Sequence, residues 1–261
     1  MTTATLPPAR SLPRFGGFSL GMVRLELRRM MRNRRTVVFT LIMPAVFFLL
    51  FGSNGSYKTE RLGDGNVTAY ILISMAVYGA MLATTTGGAM VSIERAAGWS
   101  RQLRLTPLRP AAYIAVKLLL AMIIGGVSVA VAFVVGAFSG AQLPVRAWIE
   151  CGLLAWACAL VFAAFGLFMG YLMPSENVMQ ILGPVLAILA FAGGLFLPLD
   201  ELGHTFATIA KFTPAYGVGE IARYPLTHDG NLWIAAANVV AWTTVFAAGA
   251  MWRFRRDTAR V

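Results

Sequence analysis

The segment from Glu94 to Pro107 carries the residue types best suited to a specific contact with another protein. It opens with an acid–base pair, Glu94 and Arg95, and then presents Trp99 and Leu103 four residues apart, on one face of a short helix. Arginines stand on either side of this apolar pair. Large apolar side chains ringed by guanidinium groups suit an apolar notch with an acidic rim. The sequence therefore predicts a docking element for a soluble protein.

Catalytic or metal chemistry has little support elsewhere in the chain. The two histidines, His204 and His228, both lie in the last connection between spans, and no cluster of His, Cys, Asp and Glu has the spacing of a metal site. Cys151 and Cys158 lie two helical turns apart in one apolar segment, too distant to bridge within it, and we interpret them as small packing residues. No Gly-x-x-x-x-Gly-Lys-[Ser/Thr] loop is present to bind phosphates. The sequence predicts neither an enzyme nor a cofactor bound to this chain, and no metal.

The composition is that of a membrane protein. Hydrophobic residues make up 58% of the chain and charged residues 13%, with a mean hydropathy of +0.70. Soluble domains usually contain about 25% charged residues. No polar stretch between the apolar runs reaches the roughly 50 residues of a folded module. We therefore expect one all-α, polytopic membrane domain.

Six apolar runs are long enough to be interpreted as transmembrane helices. They are Thr36 to Gly52, Val67 to Ile93, Ala111 to Phe138, Trp148 to Leu172, Val178 to Leu199, and Leu232 to Trp252. The first is short and contains Pro44, which predicts a kink that serves either packing or mechanism. The chain divides into a cytoplasmic N-terminus (residues 1–35), a six-span domain (36–252) and a cytoplasmic basic tail (253–261).

The basic residues predict the orientation of these spans. The net charge is +11, and of the 22 Lys and Arg residues eight precede the first span, five lie from Arg95 to Lys117 and four follow the last span. With six spans these three regions lie on one side, which the positive-inside rule assigns to the cytoplasm. Both termini and the 94–107 loop are thus expected in the cytoplasm of a cell-membrane protein. The basic excess reflects topology, and no nucleic-acid partner is expected.

The segment before the first span alternates apolar and basic residues. An interfacial amphipathic helix is one interpretation, with its apolar side in the headgroup boundary and its guanidinium groups toward anionic lipid. A simple positive-inside flank is the other. The residues assigned to the helix are Met22, Leu25, Arg28, Arg29 and Arg32.

Two further spans carry a patterned face. In the second span the pattern is polar and either lines a transport path or supplies hydrogen bonds between helices; its residues are Tyr70, Ser74, Tyr78, Met81 and Thr85. In the fourth span the pattern is one of small residues, which favours close helix packing within the subunit or across a dimer, although Ala-rich spans also produce such stripes by chance. Those residues are Gly152, Ala155, Ala159, Ala163, Gly166 and Gly170.

The connection from Gly193 to Asn231 is too long and mixed for a turn. Phe196 to Leu202 breaks the fifth span, and two short helical pieces are predicted, Phe206 to Pro214 and Ala215 to Tyr224. Broken helices at membrane depth need protein or water around their freed backbone groups. We expect this segment to fold over the outer end of any central pathway.

Taken together, these features resemble the type-2 ATP-binding-cassette (ABC) exporter permeases, especially the short drug-resistance type. Three places carry the resemblance. The first is the 94–107 loop with Ala111 to Lys117, and the second is the basic amphipathic helix before the first span. The third is the segment Gly193-Gly194-Leu195-Phe196-Leu197-Pro198, together with Phe212-Thr213-Pro214 and Ala222-Arg223 further along the chain.

The resemblance implies a half-transporter that pairs with a second permease, identical or related, and with two copies of a separate ATPase that binds ATP and Mg. It implies that the 94–107 loop forms the coupling helix seated in the ATPase, through Glu94, Arg95, Gly98, Trp99, Gln102, Leu103, Arg104, Thr106 and Pro107. The cargo implied is hydrophobic or amphipathic: a drug, a lipid or a lipid-linked product. The alternatives are an ion-coupled secondary transporter, which would want buried carboxylates, and a membrane scaffold without transport.

Overall fold

The computed structural model describes residues 20–32, 38–53, 55–98 and 110–259. Apart from a two-stranded hairpin these residues are mostly helical, as the sequence predicts. The helices are α1 (Leu20–Arg32), α2 (Met43–Gly52), α3 (Gly55–Thr59), α4 (Val67–Ala96), α5 (Pro110–Phe138), α6 (Val145–Cys158), α7 (Leu160–Leu172), α8 (Ser175–Ala192), α9 (His204–Ala210), α10 (Pro214–Thr227) and α11 (Leu232–Ala259). A π-helical turn (Val38–Ile42) leads into α2, strands β1 (Arg61–Leu62) and β2 (Gly65–Asn66) pair antiparallel, and a 3₁₀ turn covers Leu199–Leu202.

Five candidate spans are found in this part of the chain. They are Val67–Ala96, Ala112–Ser139, Val145–Leu172, Ser175–Ala192 and Leu232–Arg256. The expected first span is represented by a shorter apolar helix, Thr40–Gly52. At 1.5 Å per residue such a helix covers about 20 Å of the roughly 30 Å hydrocarbon core. The described residues thus contain five helices long and apolar enough to cross a membrane, and the predicted count of six is not reached by length.

Three predicted boundaries need correction. The fifth span ends at Ala192 instead of Leu199, because Gly194 adopts a φ of +73° that a helix cannot continue. The fourth span is interrupted at Ala159, where one turn tightens between α6 and α7. The last helix continues to Ala259, well beyond the predicted end at Trp252.

The kink expected at Pro44 takes the form of the π-helical turn that precedes it. Proline has no N–H, so Pro44 cannot donate to the carbonyl of Thr40 one turn earlier. The Ser128 hydroxyl of α5 donates to that carbonyl instead, at 2.8 Å. A neighbouring helix therefore supplies the hydrogen bond that proline removes.

Helix α4 is the centre of the fold. Its N-terminus is capped by Asn66, whose side-chain oxygen accepts from the backbone N–H of Ala69 at 3.0 Å. Most of its side chains are buried, and it packs mainly against α5 and α7. By contrast, α8 and α11 leave many large apolar side chains exposed, which suits helices that face lipid. Functional groups that must stay in register are therefore expected along α4.

Helices α4 and α7 approach almost backbone to backbone. A Cβ at Gly166 would lie 2.1 Å from the carbonyl oxygen of Thr85, and one at Gly88 would lie 2.6 Å from that of Ala163. The hydroxyls of Thr84 and Thr85 donate to the carbonyls of Ala159 and Phe162, each at 3.2 Å. Small residues thus let α4 and α7 touch, and hydroxyl groups add direction to the contact.

Candidate functional site at the base of the 94–107 loop

The loop predicted to dock a soluble partner leaves the helical bundle at the C-terminus of α4. Its first residues are within the structure, and Gly98 adopts a φ of +74° just after the helix ends. Of the other predicted coupling residues, six lie outside the described residues: Trp99, Gln102, Leu103, Arg104, Thr106 and Pro107. The geometry therefore concerns the base of the loop, which Glu94 and Arg95 form.

Glu94 is a buried carboxylate, with 4% of its surface exposed. It accepts a hydrogen bond from the Lys117 ammonium at 2.5 Å and another from the Tyr113 hydroxyl. Both donors belong to the first turns of α5, across the loop from Glu94. A buried charge is tolerated when it is paired and hydrogen-bonded, and Glu94 meets both conditions.

Helix α1 completes this cluster from the other side. The Lys117 ammonium also donates to Glu26 at 3.1 Å, so it lies between two carboxylates. Arg29 lies 3.9 Å from Glu26 and 4.0 Å from Glu94. Two acids and two bases are therefore held together where α1, α4 and α5 meet. We call Glu26, Arg29, Glu94, Tyr113 and Lys117 the loop-base cluster.

Arg95 joins the loop to a fourth helix. Its guanidinium donates to the carbonyls of Gly170 and Tyr171, at 3.1 and 3.0 Å. These are terminal carbonyls of α7, which lack intrahelical partners and attract cations. The guanidinium also lies over the Tyr171 ring, 5.5 Å from its centroid, and that ring contacts Phe254 of α11 at 5.6 Å. Adjacent residues at the start of the loop thus bind α1, α5 and α7, and through Tyr171 reach α11.

The predicted polar face of α4 is directed into the protein. Ser74, Tyr78, Met81 and Thr85 are buried, and Tyr70 is half-buried. Thr85 bonds to α7, and the Tyr78 ring meets the edge of Phe196 with centroids 5.0 Å apart. Thr85 therefore makes a hydrogen bond to another helix of the same chain. Whether any of these residues lines a transport path stays a prediction.

The small-residue face of the fourth span divides into two parts. Ala163, Gly166 and Gly170 lie against α4, whose backbone a Cβ at Gly170 would meet at 3.1 Å. Ala155 and Ala159 are buried as well. Gly152 differs, because its nearest neighbour is the Phe133 ring at 3.6 Å. The closest contacts of this face are therefore inside the subunit.

Helix α1, the expected interfacial helix, packs part of its apolar side against the protein. Val23 and Met30 are buried against α5, while contact of the helix with the headgroup boundary stays a prediction. Leu25 is 70% exposed and shares the outer side with Arg28, Arg29 and Arg32. The side chain of Met22 is not among those that the structure describes. Residues 23, 27 and 30 form a stripe at helical spacing, which is why α5 takes that face.

Sequence reasoning gave no role to Glu26 or Tyr113, and it named Lys117 and Arg223 only among the residues that carry the family resemblance. Lys117 was also counted as a loop charge, yet it lies a full two turns inside α5. A charge set within an apolar run is itself a signal, because it needs a buried partner. Glu26 is likewise the one acid among the arginines of α1. The pairing between them depends on tertiary contacts that spacing does not give.

With this geometry in place, comparison with known proteins defines the class. The family described as "ABC-2 type transporter" matches residues 20–226, so the chain belongs to that family and is a permease subunit. It is also similar to "Putative transport permease YvfS" of Bacillus subtilis (strain 168). The two are 29% identical over 226 residues, which span 85% of this chain and 90% of the relative.

Proposed function

We propose that this permease subunit exports a hydrophobic or amphipathic substrate and is driven by a separate ATPase docked on the 94–107 loop. The loop-base cluster carries the proposal. A docked partner can move the spans only through a stiff contact, and the loop leaves the bundle from a group of paired charges in which Glu94 and Lys117 are buried. Through Glu94 and Arg95, a push on the loop reaches α1, α5 and α7 together.

The docking surface itself is proposed from the residue types of the loop. Trp99 and Leu103 supply the large apolar side chains that anchor protein interfaces, and Arg101 and Arg104 supply a basic rim. ATP and Mg would be bound by the ATPase, in two copies, while a second permease, identical or related, completes the transporter. These assignments extend the family relationship to this chain.

The proposed orientation is supported by the position of the basic residues relative to α4. The loop-base cluster, the exposed arginines of α1 and the basic end of α11 lie toward the C-terminal end of α4. The β1–β2 hairpin precedes its N-terminal end. The positive-inside rule supports a cytoplasmic location for the basic end and for both termini.

The two alternatives predict different behaviour. An ion-coupled transporter would use a buried carboxylate that gains and loses a proton, whereas Glu94 is tied to Lys117 and Tyr113. A scaffold would have no ATP-linked activity. Purification of the chain with its associated proteins tests the proposal directly. We expect an ABC ATPase to co-purify and its hydrolysis to depend on the loop; no associated ATPase under several solubilisation conditions would contradict the proposal.

A further inference from the structure

A second buried charge lies at the opposite end of α4 from the loop-base cluster. Arg223 of α10 is 3% exposed and sits beside Ser74, twenty residues before Glu94 along α4. At 1.5 Å per residue this separates the two sites by about 30 Å. Arg223 therefore takes no part in the loop-base cluster.

Arg223 joins three separate elements through one guanidinium. It donates to the Ser74 hydroxyl of α4 at 3.2 Å, to the Gly194 carbonyl at 3.0 Å and to Glu220 of its own helix at 2.9 Å. Its planar face lies over the Tyr70 ring, 4.9 Å from the centroid. A guanidinium has its donors fixed in a plane, so it fixes the directions of these bonds as well as their lengths.

The Gly194 carbonyl belongs to the turn that ends α8, Gly193 to Pro198. This turn is closely packed: a Cβ at Gly193 would lie 2.5 Å from that of Ala215, and the Leu195 side chain fills the space over Gly219. Phe196 from the same turn meets Tyr78 of α4. Among the contacts described for the turn, the hydrogen bond from Arg223 is the one made by a charged group. It links the turn to α10, which carries Arg223, and to α4 through Ser74.

Stability alone does not explain an ion pair whose arginine is buried and whose glutamate is only partly exposed. Replacing a buried pair by apolar residues of similar volume is often neutral or stabilising, so such a pair is better evidence for defined geometry than for strength. The polar network around Arg223 defines where one turn rests on α4. The structure shows this contact in its bonded state, and switching steps in proteins often make or break such contacts between packed elements.

We infer that Arg223 is the positioning residue that holds the Gly193–Pro198 turn closed on α4, and that release of the Gly194 carbonyl from Arg223 opens this end of the permease during export. The second half of this inference rests on the proposed function. The first half concerns the permease alone and is open to test without an ATPase.

The test replaces the pair together, as Glu220→Met/Arg223→Met, so that no unpaired charge is left buried. The full-length protein is placed in lipid nanodiscs with Cys158→Ala and Leu195→Cys, and thiol labelling is followed at position 195. Leu195 is 2% exposed, while the native Cys151 is fully buried on α6 and reports on the rest of the fold. We expect labelling at 195 to rise about tenfold or more, the worth of a hydrogen bond from a charged donor, with Cys151 unchanged.

The matched control is Arg146→Met/Glu150→Met, an exposed pair at 2.6 Å on α6 whose loss should leave labelling at 195 unchanged. Unchanged labelling at 195 in the Glu220/Arg223 variant would overturn the inference, as would an equal rise at Cys151. Hydrogen exchange of residues 193–198 repeats the test without the Leu195→Cys substitution. The Leu195 amide, bonded to the Ala190 carbonyl at 2.9 Å, should exchange faster in the variant.

A transport arm separates the inference from the proposed function. With the ATPase reconstituted, we expect the Glu220/Arg223 variant to hydrolyse ATP while transporting less substrate per ATP, and Arg223→Lys to recover part of the coupling. If the turn is loosened in the variant and transport per ATP is normal, the proposed opening step during export is wrong, and the proposed function as an exporter still stands. A parent protein without ATP-driven transport would overturn the proposed function and the opening step, and the labelling would still decide whether Arg223 holds the turn.

Discussion

Lys117 of α5 donates a 2.5 Å hydrogen bond to Glu94 at the end of α4, and neither side chain exposes more than 4% of its surface. The bond closes the base of the segment that contains the predicted docking residues. Because Lys117 also binds Glu26 of α1, one ammonium group holds three helices in register. The pair thus connects the proposed docking loop to α1, α4 and α5.

Removing one member of this pair should destabilise the protein strongly. Lys117→Met leaves the Glu94 and Glu26 carboxylates buried without their ammonium, and breaking a buried pair from one side costs about 3–5 kcal/mol. We expect the double variant Glu94→Gln/Lys117→Met to lose much less, because the charge is removed with its partner. Thermal unfolding of the parent, Glu94→Gln, Lys117→Met and the double variant in one detergent measures the coupling energy between the two residues. Additive losses from the two single substitutions would show that the two groups do not interact.

Any side chain at position 166 should destabilise the contact between α4 and α7. Gly166→Leu forces the helices apart, because even a Cβ would lie 2.1 Å from the Thr85 carbonyl, and we expect a loss of about 1–3 kcal/mol. Gly183→Leu on α8 is the matched control, since nothing lies within 4 Å of its Cβ position. Midpoints of thermal unfolding compare the two. Equal behaviour would mean that the two helices are not in close contact.

The hydrogen bond from Ser128 to the Thr40 carbonyl should depend on Pro44. Ser128→Ala removes the donor and should cost about 0.6–2 kcal/mol, the range for such bonds between membrane helices. In a Pro44→Ala background the helix supplies its own N–H, so the same substitution should cost less. A double-mutant cycle by thermal unfolding measures the difference. A cost that is the same in both backgrounds would disconnect Ser128 from the proline.

Reporter fusions test the orientation. We expect fusions at Met1 and at Val261 to report the cytoplasm and a fusion at Asn54 to report the opposite side. The Asn54 fusion is informative because the helix before it, Thr40–Gly52, is short for a span. A cytoplasmic reporter at Asn54 would show that this helix does not cross the membrane and that the protein has five spans.

Much of the architecture is predictable from local patterns, and the parts that are not depend on tertiary contacts. Hydropathy places the long helices, and the turn residues Gly193 and Pro214 place the breaks, because both are properties of the chain itself. The helix end at Ala192 was placed too late, since the apolar run continues through a glycine turn.

The site shows the same division. Glu94 and Arg95 are identified from the loop pattern, whereas their partners on α1 and α7 lie more than sixty residues away along the chain. The packing of α1 against the protein was not predicted, for a related reason. Its apolar stripe suits a lipid surface and a protein surface equally well, and only the position of α5 decides between them.

The most direct test of the account is the double substitution Trp99→Ala/Leu103→Ala in the loop. Truncating the two apolar anchors should abolish co-purification of the ATPase and transport-linked ATP hydrolysis. Arg101→Ala/Arg104→Ala is the matched control and should weaken binding less, because rim charges mainly affect association rate. Thermal unfolding of both variants should equal that of the parent, since the loop-base cluster is intact. A double variant that still binds its ATPase and transports at the parental rate would contradict the account.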